Sequence, residues 1–162
     1  MLIGLIGVGV VGSTLAKWFQ EHTDHELRLY DPEKGHLDFL NGCEAIFVSV
    51  PVPHNESGQD QSILKKCVSK AQEYTDKVFI RSTVLPNTND SLGTIAMPEF
   101  LTERMAYEDM CKYPVLCGEV DKEFIERKAG RVFRPDREFE EGLASPAEKL
   151  TRIDCQFLPS LH

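Results

Sequence analysis

Residues 2–19, LIGLIGVGVVGSTLAKWF, constrain the fold of this chain more than any other stretch. A short apolar run ends at Gly7, Gly9 and Gly12 follow at G-x-G-x-x-G spacing, and a helical pattern starts at once. A strand therefore has to turn sharply into a helix. Gly7 permits the tight turn, Gly9 allows close backbone approach, and Gly12 lets helix and strand pack together. The bare pattern is weak, because glycine is common. The context is stronger: a strand precedes it, a helix follows, and a second strand ends in Asp31 about 20 residues further on.

A turn of this kind can hold the pyrophosphate of a dinucleotide. Gly7, Gly9, Val10, Val11 and Gly12 would present free N–H groups at the positive end of a helix, with no basic side chain required. Asp31 would accept hydrogen bonds from the adenosine ribose and repel a 2′-phosphate, favouring NAD over NADP by roughly ten- to a hundredfold. Lys34 lies close enough to soften that preference. The same residues also suit a ligand-free strand-turn-helix, with Asp31 merely opening a turn before Pro32.

Composition narrows the partners. A chain of 162 residues suits one domain that buries roughly 70% of its unfolded surface. Its net charge of -8 disfavours nonspecific attraction to nucleic acid or to an anionic membrane, so neither is expected as a partner. The cysteines (43, 67, 111, 117 and 155) form no C-x-x-C pair, so no metal site or redox dithiol is expected. An odd cysteine count and the lack of a signal peptide before the first strand predict reduced thiols in the cytoplasm. No apolar run approaches the 18 or so residues of a membrane span.

Strand-like runs at 2–6, 27–30, 45–50, 78–81, 94–97 and 115–117 alternate with helical patterns at 10–20, 62–74, 88–92, 101–108 and 122–129. Continuous apolar runs such as AIFVSV suit strands covered on both faces. The alternation predicts an α/β fold, a doubly wound, mostly parallel sheet with helices on both faces. Residues 51–60 (PVPHNESGQD) and 134–146 (RPDREFEEGLASP) read as loop and charged connector. The last stretch begins like a helix and soon meets Pro159. The division is thus 1–133 as the binding domain and 134–162 as connector and short remnant.

Three further segments sit at strand ends. VSVPVP (48–53) brings Val50, Pro51 and Pro53 out at the carboxyl edge, where open α/β sheets bind ligands; proline also simply ends strands. RSTVLPNT (81–88) puts Ser82 and Thr83 at the same edge, able to donate to a cofactor or to cap a helix. MPEFLTE (97–103) sets Glu99 and Glu103 four apart. On a helix they would share one face and could take a proton or position water; solvated glutamates at a helix start fit equally.

Taken in order, GVGVVG, Asp31, VSVPVP, STVLPNT and MPEFLTER resemble the N-terminal domain of the nucleotide-sugar dehydrogenase family, which includes UDP-glucose and GDP-mannose dehydrogenases. That family shows G-x-G-x-V-G, V-S-V-P-T-P, S-T-V-x-P-G-T and N-P-E-F-L-x-E-G. The resemblance covers roughly residues 1–118. It implies a Rossmann domain in which Gly7, Gly9 and Gly12 hold the NAD pyrophosphate and Asp31 the ribose, with Val50, Pro51 and Pro53 bordering the cofactor. It also implies that Thr83 orients catalytic water, that Glu99 serves the hydrolytic step, and that Glu103 lies close to nicotinamide and substrate. The implied substrate is a nucleotide sugar, a UDP-sugar first, whose C6 alcohol is oxidised to a carboxylate.

This chain departs from the pattern at Val52 (for threonine), Asn87 (for glycine), Met97 (for asparagine) and Arg104 (for glycine), and the segment between Asp31 and the third strand is short. The family's catalytic cysteine, in G-F-G-G-x-C, has no counterpart here. AEKLTRIDCQFL (147–158) matches the ends of the family's central helix but sets Thr151 where the helix has lysine and Cys155 where it has asparagine; chance explains it as well. A truncated, NAD-binding domain, incomplete for catalysis alone, is the leading expectation, with a second copy or partner chain supplying missing groups. A non-catalytic NAD or nucleotide-sugar binding module, or a two-electron Rossmann dehydrogenase on another hydroxy substrate, are the alternatives.

Overall fold

The apolar runs form the centre of a six-stranded sheet in the computed structural model, which describes residues 1–56, 58–99, 101–112, 115–117, 134–135 and 151–154. In chain order the elements are β1 (Leu2–Ile6), α1 (Val10–His22), β2 (Glu26–Asp31), β3 (His36–Leu37), β4 (Ala45–Val48), β5 (His54–Asn55), β6 (Gly58–Gln59), α2 (Ser62–Gln72), β7 (Val78–Ile80), α3 (Thr88–Leu92), β8 (Ile95–Ala96), α4 (Ala106–Lys112), β9 (Val115–Cys117), β10 (Arg134–Pro135) and β11 (Thr151–Asp154). The sheet runs β3-β2-β1-β4-β7-β8, and every pairing is parallel except β2 with β3. It is a Rossmann-type doubly wound α/β fold.

Strand alternation explains why the runs are apolar throughout. Ile3, Leu5, Ala45, Phe47 and Phe79 face one side, where Leu15, Ala16, Trp18 and Phe19 of α1 and Met110 of α4 cover them. Ile6, Ile46, Val48, Val78 and Ile80 face the other, under Leu64, Val68 and Ala71 of α2. Both faces are dry, so no position of β4 can be polar. Phe47 stacks on Phe79 with ring centroids 4.8 Å apart. On the outer side Tyr107 of α4 donates to the Glu21 carboxylate of α1, and the Lys17 ammonium lies 3.9 Å from the Tyr107 ring centre.

Several expectations are corrected. The 101–108 helix is a 3₁₀ turn (Glu103–Met105) followed by α4. The 51–60 loop contains the β5–β6 hairpin. The helical start read in the last stretch is instead, over Thr151–Asp154, a strand antiparallel to β9 and β10. Thr151 and Ile153 are β-branched, and pairing with distant strands overrides a weak local helical preference. Pro135 lies in the edge strand β10, where a missing N–H is tolerated. The helical pattern at 122–129 lies outside the described residues. The short span between Asp31 and β4 holds only a 3₁₀ turn (Pro32–Lys34) and β3, and Leu40 and Cys43 of the following loop pack directly into the α2-side core.

Candidate functional site

The chain leaves β1 for β2 on one side and later returns to β4 on the other, so β1 and β4 flank the point where the winding reverses. Crevices of this kind, outside the carboxyl ends of the strands, are where doubly wound sheets bind ligands. The glycine turn follows β1 and residues 49–53 follow β4, with Gly7 packed close to Ser49 and Val50.

Packing leaves the turn no freedom. Gly7 has φ 87° and donates its N–H to the Tyr30 carbonyl at 3.0 Å. A Cβ at Gly12 would stand 1.9 Å from the Gly7 oxygen, and one at Gly7 would stand 2.4 Å from the Ser49 oxygen. Both glycines are thus demanded by the fold itself. Gly9 is different, because a Cβ there would meet nothing within 4 Å. Gly9 is the N-cap of α1, makes no side-chain cap hydrogen bond, and no acidic residue occupies the first turn. The first amides of α1, at Val10, Val11 and Gly12, have no acceptor within the helix and face a positive dipole end. The space at Gly9 beside these amides leaves them open to an anionic ligand.

Asp31 closes the β2 side. Its Oδ2 accepts from the Val8 N–H at 2.7 Å, and Lys34 Nζ donates to the Val8 carbonyl at 2.8 Å. The two successive peptides that flank the Val8 Cα are therefore each held, one by Asp31 at the end of β2 and one by Lys34 just after it. The carboxylate is thereby placed at the turn.

Past the switch point, side chains do the holding. The Ser82 hydroxyl donates to the Val50 carbonyl at 2.6 Å and accepts from the Val50 N–H at 3.1 Å. The Ser82 hydroxyl ties two carboxyl-edge loops together. Pro51 and Pro53 are exposed at that edge, and Val52 packs against the α2-side core. Thr83 is exposed, and its carbonyl accepts from Gln59 Nε2 at 3.0 Å. Asn87 adopts φ 65°, so the departure from the family's glycine keeps the left-handed turn with a residue that tolerates it. Met97, in place of asparagine, is buried against α1 and α4.

The structure does not bring the two glutamates together on a helix. Glu99 lies in extended chain and accepts from the Leu101 N–H at 2.8 Å, while Glu103 is exposed at the start of the 3₁₀ turn. The Glu99 bond is local. Sequence reasoning also missed Gln59 and Gln61, because no local rule marks a side-chain amide that will brace a loop about two dozen residues away.

Cys43 and Cys67 are not activated as nucleophiles. Burial pushes the Cys43 thiol up, and burial together with the nearby Asp31 carboxylate pushes Cys67 up. A nucleophilic cysteine needs the opposite shift. Among the described residues no group of three or more His, Cys, Asp or Glu could hold a metal ion, and no helix is long and apolar enough to cross a membrane.

No family sequence model matches the chain, and no curated protein matches it in sequence. Solved structures do. The fold is similar to that of GDP-mannose dehydrogenase from Pseudomonas aeruginosa, solved as a ternary complex, with a TM-score of 0.59 and 19% identity over 76% of this chain and 42% of that one. It is also similar to UDP-D-ManNAc dehydrogenase from Pyrococcus horikoshii, with a TM-score of 0.57 and 18% identity over 68% of this chain and 39% of that one. The chain thus spans less than half the length of either neighbour. At such identity the likeness establishes the shared fold.

Proposed function

We propose that this chain is the NAD-binding domain of a nucleotide-sugar 6-dehydrogenase-like protein. The start of α1 carries the proposal: Gly9 stands in open space at the uncapped end of a 13-residue helix, beside a turn gripped by Asp31. Gly7, Gly9, Val10, Val11 and Gly12 would hold the pyrophosphate, and Asp31 the adenosine ribose. Val50, Pro51, Pro53, Thr83 and Glu103 would border the other half, with Ser82 bracing Val50. When bound, NAD supplies a hydride acceptor. Thr83 and Glu99 would position water against an oxidised substrate, a nucleotide sugar and first of all a UDP-sugar.

Complete oxidation to a carboxylate also needs an activated cysteine and a lysine. These would come from a second copy or a partner chain. The raised Cys43 and Cys67 thiols favour a second reading, a module that binds NAD or a nucleotide sugar without turnover.

Calorimetry with NAD, followed by a panel of nucleotide sugars with NAD read at the NADH absorbance, tests both. Turnover with a UDP-sugar supports the dehydrogenase, and binding without turnover supports the module. Turnover of small hydroxy acids but not sugars would point to a simpler two-electron enzyme. No NAD binding overturns the proposal.

A further inference from the structure

We propose that Gln59 is a positioning residue whose carboxamide presets the 83–85 segment and thereby sets how tightly the nicotinamide half of NAD is held. Such a role presupposes that the cleft binds NAD as proposed. Gln59 ends the two-residue strand β6 and is half-buried. Its Nε2 donates to the Thr83 carbonyl at 3.0 Å, and its Oε1 accepts from the Leu85 N–H at 3.1 Å. The flat side-chain amide offers the donor and acceptor of a peptide, so it pairs with residues 83 and 85 as a neighbouring strand would.

The orientation of that amide is itself determined. Gln61 Nε2 donates to Gln59 Oε1 at 3.2 Å and to Thr88 Oγ1 at 3.0 Å. A flipped Gln59 would set its NH₂ against two donors and its oxygen against a carbonyl, losing every bond. The hairpin is in turn closed by the Asp60 N–H donating to the Pro53 carbonyl at 2.8 Å.

Residues 83–85 need such a partner. They belong to no helix or strand, and Thr83 and Leu85 are exposed. They follow β7, two places from β1 in the sheet, whereas Asp31 ends β2 on the opposite side. A dinucleotide with its pyrophosphate over β1 and its adenosine ribose at Asp31 extends its other half toward β4 and β7. A segment ordered before binding spares the ligand the cost of ordering it.

The full-length chain is titrated with NAD and with ADP, which lacks the nicotinamide half. Gln59→Leu is expected to weaken NAD about tenfold and to leave ADP within about twofold. Gln61→Leu should shift NAD in the same direction by less. In the ligand-free protein, the Leu85 amide should exchange faster in Gln59→Leu while the thermal midpoint holds. Unchanged Leu85 exchange, or equal weakening of NAD and ADP, would overturn the role of Gln59. A wild-type protein that binds neither ligand would overturn the cofactor proposal, and this role with it, whatever the exchange data show.

Discussion

On the β2 side of the crevice the backbone is held by close packing and by Asp31 and Lys34 on the two peptides flanking Val8; on the β4 and β7 side, loops are braced by Ser82 and Gln59. In the first half Gly7 and Gly12 tolerate almost no substitution, because a Cβ at either would meet backbone oxygen. The second half tolerates change wherever a side chain can refit. The four substituted motif positions lie beyond β4, whereas the shortened span after Asp31 lies on the β2 side. Val52 joins the core, Asn87 adopts the left-handed turn, and Met97 fills space beside α1. Nothing in the structure accounts for Arg104.

The contrast breaks most easily at Gly12. Gly12→Ala should destabilise the protein by more than about 3 kcal/mol, because the clash is with backbone oxygen rather than a flexible side chain. An unchanged urea midpoint would refute the packing argument. Gly9→Val separates binding from folding. Its stability should move by less than about 1 kcal/mol, while NAD affinity in calorimetry falls at least about a hundredfold. Unaltered affinity would remove the pyrophosphate from this turn.

Asp31→Ala sharpens the comparison next. The ratio of NAD to NADP affinity should fall by about tenfold or more as the carboxylate is lost. A wild type that already prefers NADP would contradict the assignment. The smallest effect lies in the far half. Hydrogen bonds from the Ser62 N–H and hydroxyl hold the Asp60 carboxyl below the usual carboxylate range. The folded state then binds that proton less readily than the unfolded chain. The resulting stability is present above about pH 4 and fades as pH falls through the lowered native value. The Ser62 amide should lose protection in acid, and Asp60→Asn should abolish that pH dependence; an amide indifferent to pH would exclude Asp60.

The strand and helix order through β8 was largely legible, with boundaries off by a few residues where prolines and polar edges blur them. β4 reads plainly because every position is buried. The glycine turn was legible because its spacing sits between an apolar run and a helical pattern in one continuous stretch, whereas the close approach of Ser49 to Gly7 was not. Ser82 was placed at the carboxyl edge, but nothing in RSTVLP announces that its hydroxyl will meet Val50.

The sequence alone determined the alternating elements, the glycine turn and the acidic end of β2, because periodicity and turn chemistry act between near neighbours. Only the tertiary structure decided that a short hairpin would brace residues 83–85, that Glu99 and Glu103 would not share a helix face, and that residues 151–154 would be a strand. Those outcomes depend on pairings between segments far apart in the chain, which leave no local signature.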